Sequence, residues 1–149
     1  MWRRGWRRCR RVKGRLQFRR IGAGAWLIDD SYNANPSSAR AALQVLSELP
    51  GRRWLVLGDM AELGEFSAAS HREIGELAHA SGVERLYTFG DLAALAAESF
   101  GEGAARFSDA TQLSQALKGA LSSDVRMLVK GSRVNRLERV VEALVGSVY

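Results

Sequence analysis

The sequence predicts a three-layer α/β domain, a Rossmann-like sheet of about six strands, mostly parallel with one antiparallel edge strand. Three observations carry that expectation. Short apolar runs alternate with amphipathic stretches from residue 16 onward, the pattern of repeated βα units. The residues that follow those runs are polar and glycine-rich, while the runs themselves are apolar. The 149 residues, 46% of them apolar, suffice for one core.

Leu16 to Ile21 and Ala25 to Asp30 flank the turn-forming triplet Gly22-Ala23-Gly24 and predict the antiparallel pair. Asn35 precedes Pro36, which favours the extended conformation of an N-cap and puts proline at the first helical position. Ala39, Ala42, Leu43 and Leu46 follow at i, i+3, i+4 and i+7, one apolar face, and Pro50-Gly51 ends the helix. Trp54 to Leu57 reads as the next strand. A second helix spans about Ser67 to Ser81, with Ile74, Leu77 and Ala78 inward and Gly82 as a left-handed stop. Leu86 to Phe89 is a strand, and a helix opened by Asp91 carries Leu92 and Leu95. Ala105 to Phe107 is the weakest strand; Asp109 then opens a helix bearing Leu113, Ala116, Leu117 and Leu121. After a strand at Val125 to Val129, a helix over about Val134 to Val145 turns Leu137, Val140, Val141 and Leu144 inward.

The net charge of +6 misleads as an average. Residues 1–20 hold ten of the 22 basic residues and no acid, which leaves twelve bases against all 16 acids beyond, a net −4. Residues 1–13 are therefore expected to be a flexible or extraneous basic head, with the domain proper at 14–149. Trp2 and Trp6 among arginines give that head salt-sensitive, non-specific contact with polyanions, so nucleic acid is not an expected physiological partner. Cys9 alone cannot form an intramolecular disulfide, and with only His71 and His79 in separate segments no structural zinc site is possible. No apolar run approaches the roughly 18 residues of a membrane span. Gly14-Arg15-Leu16-Gln17 follows the head where a secretory signal needs an apolar stretch. A cytoplasmic monomer is expected.

In open parallel sheets ligands bind beyond the carboxyl ends of the strands, where helix N-termini are exposed. Here those ends read Asp29-Asp30-Ser31-Tyr32-Asn33, Gly58-Asp59-Met60, Gly90-Asp91, Ser108-Asp109 and Lys130-Gly131-Ser132-Arg133. Neither a P-loop nor a Gly-x-Gly-x-x-Gly fingerprint occurs, so the chain has no self-sufficient grip on nucleotide phosphates.

Three segments stand out together: Asp29 to Pro36, Leu57 to Gly64 with His71, and Val129 to Arg133 with Glu138. In this order, with Gly14-Arg15-Leu16-Gln17 in front, they resemble the C-terminal domain of the Mur ligases over roughly residues 14 to 146. Within that family the resemblance is greatest to members that add D-alanyl-D-alanine to UDP-N-acetylmuramoyl-tripeptide in peptidoglycan synthesis. It implies ATP and Mg²⁺ as cofactors, activation of a peptide carboxylate as an acyl phosphate, and attack by an amine. It also implies that ATP is gripped mainly by a central domain and the UDP-sugar by an N-terminal one, neither of which this sequence resembles. The chain alone is thus expected to be inactive in ligation, contributing by domain closure.

Carried over by position, the resemblance puts Arg15 and Asp30 on ATP, Asp30 at the ribose. Tyr32, Asn33, Asn35, His71, Lys130, Ser132 and Arg133 become the recognition surface for the incoming dipeptide, with Lys130 and Arg133 on its carboxylate. Substitution of Asp30 or Lys130 is then expected to cut turnover with the fold intact. Plainer readings compete. Asp29 suits a local hydrogen bond, His71 a structural role, and Asp59 and Glu62 turn positions ahead of a Mg²⁺ pair. A non-catalytic nucleotide- or peptide-binding α/β module is the rival function, with nucleic-acid binding through the head behind it.

Overall fold

A computed structural model describes residues 17–31 and 35–146. The strands are β1 (Gln17–Arg20), β2 (Trp26–Asp30), β3 (Arg52–Gly58), β4 (Arg85–Phe89), β5 (Ala104–Phe107) and β6 (Val125–Lys130). The α-helices are α1 (Pro36–Ser47), α2 (Ser67–Ala80), α3 (Ala93–Phe100), α4 (Ala110–Ala120) and α5 (Glu138–Gly146). One sheet runs in the order β1-β2-β6-β3-β4-β5, with β1 antiparallel to β2 and the other pairs parallel. The predicted class is therefore the observed one, and the antiparallel strand lies at an edge.

Side chains of successive strand residues alternate between faces, so each apolar strand feeds two cores. Ile28, Leu55, Leu57, Leu86 and Leu128 pack on one face with Leu43 and Leu46 of α1, Ile74 of α2 and Phe100 of α3. Leu27, Trp54, Val56, Tyr87, Met127 and Val129 pack on the other with Leu113 and Leu117 of α4, Leu137 just before α5, and Val140 and Leu144 of α5. Helices α1 to α3 thus cover one face and α4 and α5 the other. This partition positions the site: β2 and β3 send the chain to one face, whereas β6, lying between them, sends it to the opposite face. The crevice beyond β2, β6 and β3 is a topological switch point, where loops diverge and leave room for a ligand.

Local signals worked where they were strong. Asn35 caps α1 through a reciprocal pair with Ser38, and Asp109 accepts from the Thr111 and Gln112 amides to open α4. Gly82 stops α2 with φ 85°. Two helices depart from expectation. In α3 the buried residues are Ala93, Ala96, Ala97 and Phe100, while Leu92 and Leu95 are half-buried. The reason is Gly75 of α2: an added Cβ there would overlap the Ala96 carbonyl and Ser99 Oγ, so the two helices meet over small residues. The expected helix from Val134 is broken in two. Arg133–Asn135 forms a 3-10 turn, Arg136 adopts a left-handed conformation, and α5 begins only at Glu138. The apolar face of Leu137, Val140, Val141 and Leu144 is buried as predicted, but Val134 is exposed.

Candidate functional site

Asp30 and Lys130 end β2 and β6 and are register partners. Lys130 Nζ donates to Asp30 Oδ2 at 2.7 Å, with the side chains 3% and 10% exposed. Burial of either charge alone would be costly, and each offsets the other's desolvation. The two residues assigned from sequence to different ligands are thus brought together as one buried ion pair. A carboxylate has about four acceptor sites and an ammonium three protons, so this pairing is compatible with a ligand contact. Beside them, Asp29 Oδ1 accepts from the Ser31 amide at 3.1 Å and the Ser31 hydroxyl at 2.6 Å, and Arg19 lies 3.8 Å from its other oxygen. Its role is local, as its plainer reading has it. Asn35 accepts from the Ser38 amide at 2.8 Å through its side-chain oxygen, the N-cap bond expected from its place before Pro36. Arg15, Tyr32 and Asn33 lie outside the described residues.

The turn after β6 presents Arg133 to solvent and turns Ser132 inward. Ser132 Oγ donates to the Asp59 carbonyl at 2.7 Å, joining the exits of β6 and β3. Asn135, buried in the 3-10 turn, completes the junction. Its Nδ2 donates to the Asp59 carbonyl at 2.7 Å and its Oδ1 accepts from the Asp59 amide at 3.2 Å. Asp59 Oδ1 in turn accepts from the Ala93 amide at 2.7 Å and so caps α3 from a different loop. Asp91, expected to open that helix, does not; the N-cap residue is Leu92, without a side-chain cap. Glycine 90, at φ 110°, is required there because a Cβ would overlap the Asp59 carboxylate.

His71 is fully buried. The Met60 amide donates to Nε2 at 2.9 Å, so the ring proton sits on Nδ1, which donates to the Ser67 carbonyl at 2.6 Å. Both nitrogens are thereby engaged with backbone, and the imidazole holds the loop between β3 and α2, as its structural reading has it. The sequence reading missed Asn135 and the capping by Asp59. Neither carries a local signal, because each acts on a residue at least 30 positions away.

A second charged cluster lies at the opposite, amino ends of the strands. Glu84 Oε1 accepts from Arg52 Nε at 2.9 Å and Trp54 Nε1 at 3.1 Å. The hydrogen bond from Arg52 holds the Glu84 carboxyl below its ordinary value, helped by Trp54. The same bond raises the Arg52 guanidinium. The guanidinium groups of Arg52 and Arg85 lie 5.5 and 5.3 Å from the Trp54 ring centroid. This cluster clamps β3 to the loop before β4, on the edge of the sheet away from the switch point.

The chain is similar to known proteins over most of its length. The family model described as Mur ligase, glutamate ligase domain, matches residues 14–133. A UDP-N-acetylmuramoyl-tripeptide--D-alanyl-D-alanine ligase from Escherichia coli K12 is 44% identical over 135 residues, 89% of this chain and 30% of that protein. The counterpart from Bacillus subtilis is 34% identical over 140 residues, 89% of this chain and 31% of that protein. Among solved structures, MurF ligase from Thermotoga maritima in complex with ADP superposes with a TM-score of 0.82 at 28% identity, covering 92% of this chain and 31% of that one. The chain therefore spans about a third of the length of these relatives.

Proposed function

Because the chain belongs to the Mur ligase family, through its glutamate ligase domain, we propose that it serves as the C-terminal domain of a D-alanyl-D-alanine-adding ligase. In this reading it works in the cytoplasm, as one copy, on UDP-N-acetylmuramoyl-tripeptide, D-alanyl-D-alanine and ATP. The carrying observation is the 44% identity to the Escherichia coli ligase over 89% of the chain. Its geometric support is that the motif residues that are described gather at the switch point beyond β2, β6 and β3. No helix among the described residues is long and apolar enough to cross a membrane.

The proposed reaction joins the dipeptide amine to the tripeptide carboxylate activated as an acyl phosphate. Such chemistry depends on positioning and charge neutralisation. Arg133, exposed at the start of the 3-10 turn, is the group suited to bind the dipeptide carboxylate, through its forked guanidinium. Lys130 adds positive charge behind it. Asp30 serves the nucleotide ribose while holding Lys130, and the family resemblance assigns Arg15 to ATP and Tyr32, Asn33 and Asn35 to the dipeptide. Ser132 and His71 act on the backbone of the loop after β3. Mg²⁺, when bound, neutralises phosphate charge. The family resemblance assigns the metal and phosphate grip to the remainder of the ligase.

The test is a chimera in which residues 14–149 replace the corresponding C-terminal third of the Escherichia coli relative. Phosphate release that requires both tripeptide and D-alanyl-D-alanine is the expected result, with none from the 149-residue chain alone. A folded chimera that binds ATP yet forms no amide bond with D-alanyl-D-alanine would overturn the reading.

A further inference from the structure

We propose that Asn135 is a positioning residue for the turn Lys130–Arg133, an inference that rests on reading this turn as the dipeptide-carboxylate site. The β3–β6 ladder ends at the pair Leu57 and Lys130. Beyond it the two chains part, one towards α2 and the other towards α5 on the opposite face. One long backbone bond still joins them, from the Ser132 amide to the Asp59 carbonyl at 3.4 Å, and the Asn135 carboxamide reinforces that rung. It accepts from the Asp59 amide and donates to the Asp59 carbonyl, so one side chain engages both main-chain groups of that residue. The same Nδ2 lies 3.1 Å from Ser132 Oγ and 3.3 Å from the Ser132 carbonyl. Arg133 is therefore tethered through the residue before it and through Asn135 two residues after it.

Both strand exits are built around this side chain. A Cβ on Gly58 would stand 2.7 Å from Asn135 Cγ and Nδ2, and one on Gly131 would stand 3.2 Å from Nδ2 and 2.6 Å from Leu137 Cδ1. The backbone of the 3-10 turn is held as well. Arg139 donates to the Asn135 and Arg136 carbonyls, each at 3.0 Å, and Arg136 takes the left-handed conformation that lets α5 restart. The carboxamide lies among polar partners at the end of the sheet, outside the apolar clusters that hold the fold. Its loss should displace Arg133 and leave those clusters in place.

In the chimera, Asn135→Ala should raise KM for D-alanyl-D-alanine by about tenfold, the scale of one or two lost hydrogen bonds. KM for ATP and kcat at saturating dipeptide should stay within about twofold, a split that general loosening does not produce. Gly58→Ala, which drives the carboxamide out, should give the same split and add little to Asn135→Ala. In the 149-residue chain, Asn135→Ala should speed amide exchange at Asp59 while Leu55 and Val129 keep their protection. An unchanged dipeptide KM in an active Asn135→Ala chimera would overturn the proposal. So would unchanged exchange at Asp59, or a parallel change in every kinetic constant. An unsubstituted chimera that folds but does not ligate counts against the proposed function instead, and the exchange measurement then still decides whether Asn135 pins the turn.

Discussion

Removing the Asp30 carboxylate leaves Lys130 buried at 3% exposure with its ion-pair partner gone, and the size of the penalty follows from that burial. Breaking one side of a buried pair costs about 3–5 kcal/mol, because the remaining charge keeps its desolvation penalty. Asp30→Ala and Lys130→Met should therefore each remove a large part of the ~5–15 kcal/mol that stabilises an ordinary domain. Replacing both partners with apolar residues of similar size should cost far less than the sum of the two single changes, since both desolvated charges are then removed. Urea unfolding of the 149-residue chain measures all four corners of this cycle, with shifted midpoints at constant slope as the sign of a pure stability change. Single-variant losses below about 1 kcal/mol, or an additive double variant, would refute the reasoning, since those values belong to solvent-screened pairs. The result bears on function directly. Sequence reasoning expects turnover to fall in Asp30→Ala with the fold intact, whereas the buried pair makes instability a competing cause. A double variant that regains stability without regaining turnover would separate the two.

Other predictions reach the rest of the network. Asp59→Ala should cost about 1 kcal/mol by uncapping α3, seen as faster amide exchange at Ala93; unchanged exchange there would rule out the cap. His71→Phe strands the Met60 amide, since the Ser67 carbonyl keeps its helical bond, and should cost about 1–3 kcal/mol in urea unfolding; a neutral result would mean the imidazole does not hold the loop. Gly75→Ala should lower the thermal midpoint by forcing α2 and α3 apart, at a cost of roughly 1–3 kcal/mol, and a gain in stability would contradict the close packing. Glu84 titrates below its ordinary value in the folded state, so its stabilisation is complete above the ordinary carboxylate range and is lost as pH falls through the folded value. The stability gap between wild type and Glu84→Gln should accordingly narrow on acidification, and a widening gap would reverse the assignment.

The sequence by itself determined the βα order, the antiparallel edge pair, the caps at Asn35 and Asp109, the buried faces of α1 and α5, and Leu113 and Leu117 as the inward residues of α4. Each of these rests on spacings within a turn or a strand, where period and capping chemistry act between near neighbours. It also located the candidate edge, because Asp30, Asp59 and Lys130 follow apolar runs whose strand character was plain. What each side chain does at that edge was decided only by tertiary structure. Asp30 and Lys130 are 100 residues apart and meet because β6 inserts between β2 and β3. The short helix α3 turns alanines inward because Gly75 brings α2 against it, and Asp59 caps it in place of Asp91. Asn135 leaves the predicted helix to bond the loop after β3. Local propensity cannot encode such partners, since hydrogen-bond and charge satisfaction in a buried site depend on which strands end side by side.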